Sequence, residues 1–260
     1  MRFLQLALLF ALGLVAAASA EEGSGAAAPD GQEATPKADV EEGKDKYDHC
    51  VMWAEKGECD TNPHYMKAAC PEACAAYQTQ KEAMLEEVKS IKSIHQLSAK
   101  DIDGKVINFG DYAGYVIVFV NVIASDNMMS EAHYKGLVEL QERVKGQKVK
   151  FFLFPTDQFV HEQDKLPEDK DDLLAYFTNK GLLDEGTMFT IMEPIKVNGP
   201  EAHILYKFAK YDAAPPTPGI AWNFDPYFLA HPSGDLESRH RVHPHMLFEP
   251  IMEHFGSSEL

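Results

Sequence analysis

From Val116 to Tyr134 the chain reads VIVFVNVIASDNMMSEAHY. The first half is a continuous apolar, β-branched run, the pattern of a strand buried on both faces. A short polar loop follows, Ala124-Ser125-Asp126-Asn127. Beyond it, starting from Ser130 as N-cap, the residues Tyr134, Leu137, Val138, Gln141 and Val144 recur at helical spacing. The stretch therefore reads as buried strand, tight loop and amphipathic helix.

The alternation continues on both sides. KDIDGKVINF (100–109) reads as a hairpin turning at Asp103-Gly104, and KVKFFLFP (148–155) as a second buried strand. PEDKDDLLAYFTNKG (167–181) opens with Pro and acids and closes with Lys180-Gly181, as a helix does. EAHILYKFAKY (201–211) is another helix, stopped by DAAPPTPG. IAWNFDPYFLAHPSGDLESRHRV (220–242) gives two strands around Pro232-Ser233-Gly234-Asp235. PHMLFEPIMEHF (244–255) closes the pattern as a helix interrupted by Pro250. Strands alternating with helices, then a hairpin and a last helix, predict an α/β domain over 94–260, a central mixed sheet with helices on both faces.

Ahead of this domain the composition changes three times. Residues 1–20, MRFLQLALLFALGLVAAASA, carry one Arg, an apolar run and an Ala-Ser-Ala end, the pattern of a secretory signal peptide. Residues 21–46 are acidic and rich in Gly, Ala and Pro, and bury too little to offset ordering entropy, which predicts a disordered linker. A cysteine module spans 47–77, and a polar helical connector spans 78–93. The four cysteines, at 50, 59, 70 and 74, are the chain's whole complement. An even count in a short secretory segment points to disulfides, with a zinc site as a rival weakened by the spacing.

Among 260 residues, 45% are hydrophobic and 25% charged, and the formal charge is −17. That charge speaks against nucleic acid and anionic membranes as partners, since both select clustered Lys and Arg. No second apolar run reaches the length of a bilayer span. The terminal Ser257-Ser258-Glu259-Leu260 shares only the Glu-Leu of an ER-retrieval signal, so the ER lumen and the exterior are equal alternatives. His240, His243 and His245 fall at i, i+3 and i+5 around Pro244, which suits neither one helix face nor one strand face; they read as a solvated loop without a metal. Met128 and Met129 read as packing residues.

Two resemblances add to this. Trp53-Ala54, Gly57-Glu58-Cys59, Asn62-Pro63-His64-Tyr65-Met66 and Cys70-Pro71-Glu72-Ala73-Cys74 resemble the ShK toxin-like module. That family has six cysteines. This chain lacks the first and last, with Tyr77 near the sixth position, and the family connectivity implies Cys50–Cys70 and Cys59–Cys74. Tyr65 and Lys67 invite comparison with the channel-blocking pair of the toxins, but the plainer reading is an adhesive or positioning unit.

Over about 91–253 the chain resembles the glutathione peroxidase family, a branch of the thioredoxin fold. The resemblance is carried by SIHQLSAKDIDGK, VNV, YKGLVELQERV, FPTDQF, VNGPEAHILYKF and AWNFDPYFL. It implies peroxide reduction by a cysteine or selenocysteine in the loop after VNV, surrounded by Gln, Trp and Asn. Those three donors are Gln158, Trp222 and Asn223, while the nucleophile position falls on Asn127, or on Asp126 with one extra loop residue. No Cys occurs after residue 74. The family's usual Cys-Asn before Gln-Phe is Thr156-Asp157 here, and its Phe-Pro is Phe189-Thr190.

The expectation is a secretory-pathway pseudo-peroxidase with a binding role, without cofactor. It would be a monomer, because the short link from Tyr211 to Ile220 resembles the monomeric members. A hydroperoxide, a thiol or a protein is the implied partner, with glutathione or thioredoxin as reductant only if the domain turns over. The alternatives are an active peroxidase with an unusual nucleophile (a borrowed thiol, a metal, or a selenocysteine codon misread near 124–128), and an adhesion or channel-binding protein led by the small module.

Overall fold

The computed structural model describes residues 41–159 and 165–255. The signal peptide, the linker up to residue 40 and the terminal Ser257–Leu260 lie outside the described residues. The main domain is built on a five-stranded mixed sheet. Strands β3 (Val116–Val122), β4 (Val149–Pro155) and β5 (Phe189–Ile191) run parallel. Strand β6 (Tyr227–Ala230) adds antiparallel to β3 and β7 (Leu236–Arg239) antiparallel to β6, giving the order β5-β4-β3-β6-β7, and β1 (Ser98–Lys100) with β2 (Val106–Asn108) forms a separate hairpin. The architecture is the thioredoxin-like α/β arrangement that the resemblance implies.

All seven residues of β3 are buried, so the strand lies within the sheet and under two layers at once. Val116, Val118, Val120 and Val122 face a core with Tyr134, Leu137 and Leu140 of α5 (Met128–Arg143), Leu173 and Phe177 of α6 (Lys170–Asn179), and Ile251. Ile117 and Phe119 face the opposite core, with Leu205, Tyr206, Phe208 and Ala209 of α7 (Ile204–Asp212). Each fully buried side chain of this size stabilises by about 1.5–3 kcal/mol, which favours a single register for β3.

Several boundaries differ from the sequence reading. The cap of α5 is Asn127, and Ser130 occupies the third helical position of a reciprocal capping box. Helix α6 starts at Lys170 with Asp169 as N-cap, leaving Pro167 outside; helix α7 starts after His203, whose Nδ1 accepts from the Leu205 N–H. Pro250 does not interrupt the last helix. It lies in the first turn of α8 (Phe248–Met252), where a missing N–H leaves no intrahelical bond unmade. Met128 and Met129 are 89% and 52% exposed rather than packed, because they precede the apolar stripe that begins at Tyr134.

The module carries the Cys50–Cys70 and Cys59–Cys74 disulfides, with Cα separations of 5.2 and 5.6 Å. They tie α1 (Cys50–Glu55) to the junction between α3 (Pro63–Ala69) and α4 (Pro71–Val88), and α2 (Glu58–Thr61) to α4 itself. Trp53, Met66 and Cys70 are fully buried at its centre. Helix α4 continues unbroken through the expected boundary at 77–78, so the connector is an extension of the module. Side-chain hydrogen bonds add to the two disulfides. Asp45 Oδ1 accepts from the Glu72 and Ala73 N–H groups at 2.9 and 3.1 Å, capping α4. The Tyr77 hydroxyl lies 2.9 Å from Asp60 Oδ2. Tyr65 packs against Tyr47 and Trp53.

Candidate functional site

Strands β3 and β4 end side by side, Val122 opposite Pro155, at the carboxyl edge where open α/β sheets bind ligands. Beyond β3 the loop is tied down from three directions. Ser130 Oγ donates to Ser125 O at 2.6 Å, the Tyr176 hydroxyl donates to the same carbonyl at 3.0 Å, and the Tyr134 hydroxyl donates to Ile123 O. Asp126 turns outward to an ion pair with Lys180 Nζ at 2.7 Å, and that hydrogen bond holds its carboxyl below the usual range. Partial burial works against the Lys180 charge, yet hydrogen bonds to Asp126 and Glu131 hold its pKa above the ordinary lysine value.

Asn127 is spent on the helix. Its Oδ1 accepts from the N–H groups of Met129 and Ser130 at 3.1 and 2.9 Å, and its own N–H donates to Ser130 Oγ at 3.1 Å. Asn127 thus takes up the donors that an anion at this helix N-terminus would use.

After β4, Gln158 folds onto the segment before α7. Its Oε1 accepts from Val197 N at 2.6 Å and Asn198 N at 3.0 Å, and its Nε2 donates to Asn198 O at 3.3 Å. Asn198 passes this connection on, its side chain making a two-way pair with the backbone of Ile220 at 2.7 and 3.0 Å. Two residues later Trp222 is 44% exposed, its indole against Phe159 with ring centroids 6.3 Å apart. Asn223 is buried, and its Oδ1 accepts from Asn121 Nδ2 at 3.2 Å; the same amide lies 3.1 Å from Trp222 O. Asn121 Oδ1, Asn223 Nδ2 and Thr156 Oγ1 are buried without a protein partner. Because Asn121 pairs with Phe154 across parallel strands, Thr156 lies one pleat further along the same sheet face.

The fold therefore links Gln158, Trp222 and Asn223 through two residues that the sequence reading did not single out, Asn121 and Asn198. The signal for Asn121 was available: a polar residue inside an apolar strand needs a buried partner. Among the described residues no hydrogen bond joins Asn127 or Asp126 to the three donors. The arrangement offers hydrogen-bond donors and acceptors around an exposed indole, and every cysteine of the chain is in a disulfide.

The histidine stretch is engaged locally. His240 Nε2 lies 3.0 Å from Thr217 Oγ1, and His243 reaches Ala132 O at 3.0 Å and His245 Nδ1 at 2.7 Å. Among the described residues no group of three or more His, Cys, Asp or Glu could hold a metal ion. No helix there is long and apolar enough to cross a membrane.

Comparison with known proteins gives two matched families. Residues 94–210 match Glutathione peroxidase, and residues 42–76 match ShK domain-like. The phospholipid hydroperoxide glutathione peroxidase of Callithrix jacchus is 31% identical over 152 residues, covering 56% of this chain and 72% of that protein. The glutathione peroxidase of Schistosoma mansoni is 31% identical over 142 residues, covering 54% of this chain and 79% of that one. Among solved structures, T. cruzi GPX1 is similar with a TM-score of 0.47 at 24% identity, over 65% of this chain and 100% of that chain.

Proposed function

The chain belongs to the glutathione peroxidase family, and from that premise we propose that it is a pseudo-peroxidase of the secretory pathway, one that binds through the peroxidase pocket without turning peroxide over. The observation that carries this reading is Asn127. Its carboxamide is no nucleophile towards peroxide, and its oxygen accepts two backbone hydrogen bonds as the cap of α5. No thiol replaces it, because no cysteine follows Cys74 and all four are oxidised.

What remains is a cluster of polar groups beside an exposed Trp222. Its groups suit a small ligand that both donates and accepts hydrogen bonds, such as a hydroperoxide or a thiol, and the open indole suits a protein partner. Two disulfides in so small a module fit an oxidising compartment, in accord with the signal-like N-terminus.

The test is an assay of hydrogen peroxide and lipid hydroperoxide reduction, with glutathione and with thioredoxin, on the chain with its disulfides formed. The expected result is no turnover above the uncatalysed rate. Turnover by the native chain overturns the reading and sends the search for the nucleophile to Cys50, Cys59, Cys70 and Cys74. An Asn127→Cys variant, run alongside, gains measurable turnover if the pocket is otherwise competent.

A further inference from the structure

The cysteine module does not hang beside the main domain; it sits on the two segments that carry the donors. The first is 196–199, whose backbone holds Gln158, and the second is 218–223, which carries Trp222 and Asn223. At the second, backbone meets backbone. A Cβ on Gly219 would lie 2.4 Å from Lys56 C and 2.5 Å from Lys56 O, and one on Gly57, at φ +85°, would lie 2.8 Å from Gly219 N. Only two glycines permit this approach. Beside it, the Tyr77 hydroxyl lies 3.1 Å from Pro218 O and 2.9 Å from Asp60 Oδ2, two acceptors that share its one proton. At the first segment, the Glu55 carboxylate lies over Gly199, 3.1 Å from where a Cβ would stand. Further along, Glu87 of α4 pairs with Lys207 of α7 at 2.8 Å.

The contacting face of the module is short helix and turn, namely Glu55 to Asp60, and Cys59 lies within it. The Cys59–Cys74 bridge joins that face to α4, and Cys50–Cys70 closes the other side. A segment this small has too little core to hold such a face without its cross-links.

We propose that the module is a clamp on the donor segments that reduction releases: oxidised, it fixes Pro218–Ile220 and so the placement of Trp222; reduced, it lets that segment go. The reductant is a dithiol of the thioredoxin class. Each protein disulfide takes two electrons and two protons from one dithiol, which leaves as its own disulfide, so four thiols appear in the chain. The clamp regulates the pocket only if that pocket binds, and in this it rests on the reading above; the clamp itself is measured without any ligand.

Trp53 and Trp222 are the only tryptophans, one at the module's centre and one at the site. Fluorine NMR of the full chain carrying 5-fluorotryptophan reads both, with a Trp222→Phe variant assigning the resonances. The expected result is that a dithiol which liberates four titratable thiols shifts both resonances. Tyr77→Phe, with both disulfides intact, is expected to shift that of Trp222 in the same direction. A Trp222 resonance that stays at its oxidised position after four thiols are counted overturns the proposal. So does loss of main-domain helix signal on reduction, since the clamp acts on a domain that stays folded. Neither outcome bears on peroxide turnover.

Discussion

Asn127 accepts two backbone hydrogen bonds as the cap of α5, and its substitutions separate stability from chemistry. Asn127→Ala leaves those N–H groups without their cap and is expected to cost about 1 kcal/mol in urea unfolding. Asn127→Asp keeps an acceptor and adds favourable charge at the helix N-terminus, and is expected to match the native chain or exceed it. His133 yields a second prediction at this scale. Desolvation first, then the neighbouring His243, lower its pKa to about 4, while its Nδ1 lies 2.8 Å from the Tyr227 hydroxyl. An unfolded histidine titrates near 6.5, so between that pH and 4 the unfolded chain binds a proton that the folded chain refuses. The contribution is whole above that window and is lost as pH falls through it. His133→Gln is therefore expected to flatten the drop in thermal midpoint between pH 6.5 and pH 4 relative to the native chain.

At the scale of elements, the packing of α5 against the segment from Pro244 to Leu247 depends on Gly136. A Cβ there would lie 2.4 Å from His243 Cε1, while the His243 ring is itself held by Ala132 O. Gly136→Ala gains helix propensity but must displace that ring. Overpacking of this kind costs about 1–3 kcal/mol, against about 1 kcal/mol gained, so a lower thermal midpoint is expected. Asn198 is the counterpart at the site. Asn198→Ala strands the N–H and C=O of Ile220 in a buried place and is expected to cost about 2 kcal/mol or more. It is also expected to move Trp222 fluorescence, which a change confined to the core would not do. The element boundaries show which sequence rules carried furthest. The strands at Val116–Val122 and Val149–Pro155 were legible because burial explains runs in which every residue but Asn121 in the first and Lys150 in the second is apolar. The start of α5 was misplaced by three residues because Asn127 and Ser130 are both capping types, and only the backbone φ and ψ decide which of them is the cap.

For the whole molecule, the glycine contact, the Tyr77–Pro218 hydrogen bond and the Glu87–Lys207 pair make the module and main domain one packed body, with α4 as the shared element. Replacing Cys59 and Cys74 together by Ala is expected to cost about 2–4 kcal/mol of module stability in chemical denaturation. On its own, the sequence was sufficient for the alternating α/β pattern, a module whose even cysteine count points to disulfides, the acidic charge and the absence of a thiol after residue 74. These depend on residue type and short-range spacing, which a chain carries before it folds. It did not show that Gln158 spends its amide on the backbone of Val197 and Asn198, that Asn121 holds Asn223, that Met128 faces solvent, or that Lys56 lies on Gly219. All but the exposure of Met128 join residues 39 to more than 160 positions apart. Hydrogen-bond partners at such separations are chosen by the register of the sheet and the docking of α4 on α7, so only the tertiary structure decided them.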